Sequence, residues 1–103
     1  MAGAGLPLQA QLDLDRTVHE PARLVILTVL SGAEQVEFKF LESITGLSKG
    51  NLSSHTSKLE QASFLEVIKT FRGRTLVTSF RITEAGKKAL ADYWNTVRMA
   101  MPG

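Results

Sequence analysis

The residues most able to do chemistry in this chain lie between Lys49 and Leu59, in the run KGNLSSHTSKL. It holds two lysines, an asparagine, three serines, a threonine and a histidine, and the first carboxylate after it is Glu60. On a helical wheel Leu52, Thr56 and Leu59 fall together as an inward stripe. Gly50, Ser54, Ser57, Lys58 and Gln61 lie opposite, with Lys49, Asn51 and Ser53 towards the flanks. A helix that faces only water usually mixes Glu and Lys four residues apart for local pairing, and this run has none of that. Its chemistry is hydrogen bonding and attraction to anions. Short polar side chains without negative charge can approach base edges and phosphates in a DNA major groove. The plainer alternative is a Ser/Thr-rich surface helix.

A second cluster, Arg72-Gly73-Arg74, stands between the strand-forming runs LEVIKTF and LVTSFRI, where a glycine signals a hairpin. With Lys69 and Arg81 nearby, the hairpin tip becomes a cationic projection; taken alone, it would read as an ordinary charged hairpin. Charge distribution links the two clusters. Residues 1–48 carry three basic against six acidic side chains, whereas residues 49–81 carry six basic against two acidic. Positive charge is thus concentrated in the same third of the chain as the polar helix, as a footprint for phosphates requires.

Bond-making chemistry finds no support. No nucleophile–base pairing, glycine-rich phosphate loop or metal-ligand spacing is present, and the serines cluster on one helix with only His55 as a base nearby. With no cysteine among 103 residues, disulfides, thiolate metal sites and a cysteine nucleophile are excluded. His19 precedes a helix and His55 flanks another, which suits capping, packing or phosphate contact better than convergence on one ion. Neither a metal nor a cofactor is therefore expected. No apolar run approaches the roughly 20 residues of a membrane span and no secretory pattern opens the chain, so a cytoplasmic protein is expected.

The elements that must position these clusters follow from periodicity and punctuation. One domain with one modest core is expected from the length and the 44% apolar content. Residues 1–13, rich in small residues and Gly, read as a flexible arm, and Leu6, Leu8, Leu12 and Leu14 would dock on the domain or on a second subunit. Thr17 and Glu20 form a capping-box pattern for a central, mostly enclosed helix through PARLVILTVL, which ends at Ser31-Gly32. A brief edge strand is expected around Val36. FKFLESIT then gives a short helix whose buried stripe would hold Phe38, Leu41 and Ile44, with Phe40 and Leu47. Gly46 ends that helix and Ser48 caps the next by accepting from the N–H of Asn51 or its neighbour. Thr83 caps a long last helix with the apolar stripe Leu90, Trp94, Val97 and Met101, and Tyr93 beside it. A stripe reaching beyond a domain this small reads as an isologous dimer contact, the alternative being a helix folded back on its own domain.

The resulting order is helix, short strand, helix, glycine turn, helix, strand, arginine hairpin, strand, helix: mainly α with a small β-hairpin (α+β). Together with LDRTVHEPARLVILTVL, FLESITGLSKGNLSSHTSKLEQASFLEV, FRGR and ITEAGKKAL, it resembles the small winged helix-turn-helix regulators related to the MarR and ArsR superfamilies. The resemblance covers residues 14–94, leaving 95–103 as the end of a dimerisation helix. It implies a homodimer on double-stranded operator DNA, probed by a recognition helix at about 49–62 and a wing at about 71–76. Carried over by position, Lys49, Gly50, Asn51, Ser53, Ser54, Ser57 and Lys58 form the recognition surface, and Arg72, Gly73 and Arg74 the wing tip. The chain departs from arsenic-type sensors in lacking their cysteine clusters, which disfavours metal sensing. No convergent polar set names a small-molecule effector. The other function weighed is a winged-helix protein–protein interaction module without DNA binding; it would tolerate carboxylates on the outward helix face and apolar residues at the wing, where this sequence places basic ones.

Overall fold

The computed structural model describes residues 15–100. Its elements are α1 (Pro21–Ser31), β1 (Val36–Glu37), α2 (Phe38–Thr45), α3 (Lys49–Gln61), β2 (Leu65–Arg72), β3 (Thr75–Ile82) and α4 (Glu84–Ala100). The expected N-terminal arm, with Leu6, Leu8, Leu12 and Leu14, lies outside the described residues. Among the described residues no helix is long and apolar enough to cross a membrane.

α1 begins later than the capping-box pattern predicts. Pro21 occupies its first turn and forces the preceding residue into extended backbone, so Glu20 sits at φ −155°, ψ 128° and cannot be helical. Glu20 itself is the cap, accepting from the backbone N–H groups of Ala22 and Arg23, both at 3.1 Å. Thr17 belongs instead to a turn in which Asp15 Oδ1 accepts from its N–H at 2.8 Å. α1 is central as expected but not enclosed on most sides, since its outer face leaves Val25 45% exposed. Ile26, Leu27 and Leu30 are fully buried, and the helix touches α2, α3, β3 and α4.

The stripe on α2 is narrower than expected. Leu41 is fully buried and Phe38 and Leu47 pack partly on the core, but Phe40 and Ile44 are about half exposed, at 53% and 51%. At about 100° per residue, Ile44 and Phe40 both lie on the flank of Leu41 away from Phe38, so the face that meets the core is narrower than the expected stripe. Gly46 then turns the chain at φ +69°, left-handed backbone that costs a glycine nothing. Two residues on, Ser48 Oγ accepts from the Asn51 N–H at 3.1 Å and starts α3.

α3 sends Leu52, Thr56 and Leu59 into the core. Thr56 satisfies its buried hydroxyl by donating to the carbonyls of Leu52 and Ser53 at 3.0 and 3.1 Å. The helix ends in a Schellman motif: the N–H of Ser63 donates to Glu60 O at 2.8 Å and that of Phe64 to Leu59 O at 2.9 Å. Ser63 takes the left-handed conformation there, at φ +65°.

β3 is the centre of a three-stranded antiparallel sheet ordered β1-β3-β2. Val36 pairs with Phe80, and β2 pairs with β3 from Leu65↔Ile82 to Arg72↔Thr75. Alternation puts Leu65, Phe80 and Ile82 into the core, while the hairpin projects past it. Thr83 pins the start of α4 to the turn after α3. Its hydroxyl accepts from the Gly86 N–H at 2.9 Å and donates to Ser63 O at 2.6 Å, and its N–H donates to Phe64 O at 3.0 Å.

Candidate nucleic-acid interface

The outward face of α3 is as the sequence places it. Lys49, Gly50, Asn51, Ser53, Ser54, Ser57 and Lys58 are all exposed, and the buried stripe opposite them holds the helix in register against the core. The wing hairpin is joined by Gly73 and Arg74, with positive φ (+66°) at Gly73 alone, the pattern of a II′ turn. Arg72, Gly73 and Arg74 are exposed.

Helix and wing border one cleft. Lys49 at the start of α3 and Arg72 at the end of β2 both line a space of about 370 Å³, together with Lys39, Phe38 and Leu76. The two cations are not bare. Lys49 Nζ lies 3.2 Å from both carboxylate oxygens of Glu42, and an Arg72 guanidinium nitrogen donates to Glu37 Oε2 at 2.7 Å. That hydrogen bond and the charge of Arg72 hold the Glu37 carboxyl below its ordinary range and raise the guanidinium in turn. Arg81 is likewise paired, donating to Glu66 at 2.6 Å. Lys58, Lys69 and Arg74 have no carboxylate partner among the described residues.

Sequence reasoning missed three parts of this surface. Glu37 and Glu42 come from the segment before α3 and reach the cleft only through folding. Lys39 on α2 adds a third cation to the same cleft. Phe71 and Leu76 face each other across the hairpin and are 73% and 52% exposed, so the wing carries apolar surface as well as arginines. The alternation of both strands, extended past the end of the core, would have revealed this pair.

The expected dimer stripe divides. Leu90 and Tyr93 are 8% and 9% exposed within the chain's own core, and Val97 packs partly against it, so Leu90 and Tyr93 are not free for a second subunit. Trp94 is 41% exposed and Met99, which the stripe did not include, 83%. Met101 lies outside the described residues. The two histidines take separate partners: His19 Nδ1 is 2.9 Å from Tyr93 Oη, and His55 Nδ1 is 3.2 Å from Glu20 Oε2.

Among the described residues, four helices, a three-stranded sheet and a hairpin projecting beside an exposed helix face define a winged helix-turn-helix. Residues 22–101 match the family model described as winged helix DNA-binding domain, and the chain belongs to that family. The uncharacterized protein MJ0432 of Methanocaldococcus jannaschii is 37% identical over 71 residues, which cover 69% of this chain and 77% of that one. Among solved structures, a transcriptional regulator homologue from Pyrococcus horikoshii superposes with a TM-score of 0.82 at 21% identity, over 89% of this chain and 93% of that one. The transcriptional repressor BigR from Xylella fastidiosa gives 0.59 at 22% identity, over 92% and 91%. Membership makes this chain a DNA-binding protein and not an enzyme.

Proposed function

We propose that this protein is a sequence-specific transcriptional regulator of the MarR- and ArsR-like kind that binds its operator as a homodimer and acts as a repressor. α3 enters the major groove, and the wing at 71–76 lies on the flanking backbone or minor groove. Lys49, Lys58, Arg72 and Arg74 supply phosphate attraction. Ser53, Ser54 and Ser57 hydrogen-bond bases or phosphates, and Asn51, with a donor and an acceptor side by side, is matched to adenine. The observation that carries this reading is the cleft shared by Lys49 and Arg72, where the start of the polar helix and the base of the wing border one space. The exposed Trp94 and Met99 on α4 support a second copy as the partner of that helix. The two solved structures the chain resembles, a transcriptional regulator homologue and a transcriptional repressor, support the transcriptional role.

The test is selection of bound sequences from a random duplex pool, combined with the mass of the complex. Enrichment of a palindrome bound by two chains is expected. An unenriched pool with no complex would overturn the reading and favour a protein-contact module, whose anchor would be Phe71 and Leu76.

A further inference from the structure

The two ion pairs in the cleft do more than satisfy charges. Each takes a cation proposed to meet phosphate and gives it a carboxylate from outside α3: Glu37, at the junction of β1 and α2, holds Arg72, and Glu42, within α2, holds Lys49. The partners are 35 and seven residues apart in sequence, so the pairing belongs to the fold and not to a local helix pattern. Both cations lie at the surface, 77% exposed for Lys49 and 71% for Arg72, while Glu42 and Glu37 are half-buried beside them, so the cation end of each pair is open to exchange for another anion. Both carboxylates line the cleft through which a duplex backbone would pass. A phosphate arriving there must displace a carboxylate already seated on the cation, and it meets that carboxylate's charge while doing so. Lys58 and Arg74, by contrast, have no such partner among the described residues and can take a phosphate without exchange.

We infer that Glu37 and Glu42 are built-in competitors of DNA phosphate, which hold Arg72 and Lys49 back and so set how tightly the protein grips a duplex backbone. The inference rests on the DNA-binding reading above. Sequence-independent affinity comes almost wholly from phosphate contacts, whereas the operator adds base contacts that offset the exchange. The two carboxylates therefore weaken the phosphate-driven part of binding, on which a scrambled duplex depends almost entirely.

The test measures affinity of the full chain for a 30-base-pair duplex of scrambled sequence and for a selected duplex, across a salt series. Glu37→Gln and Glu42→Gln should each tighten binding to the scrambled duplex by about two- to fivefold at low salt, the worth of an exposed ion pair, with the gain fading as salt rises. The selected duplex should gain by a similar factor, because the same two cations meet its phosphates. Glu34→Gln makes the same change of net charge away from this cleft and should have a smaller effect. In an Arg72→Ala background, Glu37→Gln should lose its gain. Unchanged or weakened scrambled-duplex binding in both glutamine variants would overturn the inference, as would an equal gain from Glu34→Gln or a gain that survives Arg72→Ala. Failure of the wild-type chain to bind either duplex would instead overturn the DNA-binding reading, so the two failures are distinguishable.

Discussion

His55 on α3 places its Nδ1 3.2 Å from Oε2 of Glu20, the residue that caps α1. The distance is that of an ion pair, but the ring nitrogen lacks the alignment of a hydrogen bond. Glu20 also receives the N–H groups of Ala22 and Arg23 and the Arg23 guanidinium, at 3.4 Å. One carboxylate thus joins the helix proposed to read DNA to the helix at the centre of the core.

That junction makes stability depend on acid. Burial pushes the Glu20 carboxyl up, but the backbone N–H groups of Ala22 and Arg23, the charge of His55 and the Arg23 hydrogen bond together outweigh it and leave the group below its ordinary value of 4.5. A depressed carboxyl stabilises the fold fully above its unfolded value, and the contribution is lost as pH falls through the folded one. Melting temperature followed from about pH 7 down to about pH 3 should therefore fall less steeply in Glu20→Gln than in the wild type. Parallel acid limbs would show that Glu20 is not coupled to folding. At neutral pH, Glu20→Ala should cost about 1 kcal/mol as a lost cap.

Gly86 stands in the first turn of α4, where helix propensity alone favours alanine by about 1 kcal/mol. A Cβ there would overlap the Phe64 carbonyl oxygen and lie 2.8 Å from Ile82 Cγ1. The carbonyl already accepts from Thr83, so it has little room to move. Gly86→Ala should destabilise by about 1–3 kcal/mol in urea unfolding. A gain in stability would mean that α4 does not start against this turn.

Ser63 should respond in the opposite sense. It occupies the Schellman position at φ +65°, where a side chain costs about 1–2 kcal/mol and glycine avoids that cost while losing some backbone entropy on folding. Ser63→Gly is expected to raise stability by about 0.5–1 kcal/mol, read as a higher denaturant midpoint at constant slope. A lower midpoint would assign the serine side chain a stabilising contact.

At the proposed interface, Arg72→Ala combined with Arg74→Ala should weaken binding to every duplex and reduce the salt slope by roughly one to two per subunit. An unchanged slope removes the wing from the mechanism. Ser54→Glu should abolish binding without altering the circular dichroism, because it sets a carboxylate against phosphates; retained affinity in a gel-shift titration would mean that this helix face lies elsewhere.

The division of the α4 stripe separates folding from assembly. Trp94→Ser with Met99→Ser removes exposed apolar surface and should shift sedimentation towards single chains while leaving the melting curve cooperative. Leu90→Ser should instead unfold the chain, since Leu90 is core. An unaltered dimer mass in the Trp94 and Met99 variant would move the subunit contact off this helix.

Much of the fold was legible because its signals are local. Gly46, Ser48 and the spacing of Leu52, Thr56 and Leu59 act within a turn or two of backbone, and the structure places each as its chemistry requires. The β-hairpin around Gly73 is local in the same way. Thr17 misled because the constraint that Pro21 puts on Glu20 outweighs a capping pattern.

By itself, then, the sequence determined which side chains of α3 share a face and, the start of α1 apart, where the helices and strands lie, because those depend on neighbours along the chain. Tertiary structure alone decided what covers each face. It buried Leu90 and Tyr93 in the chain's own core, left Trp94 partly uncovered, and delivered Glu37 and Glu42 to Arg72 and Lys49. A helical wheel carries no record of the element packed against it, and an ion pair between residues far apart in sequence exists only once the chain between them has folded.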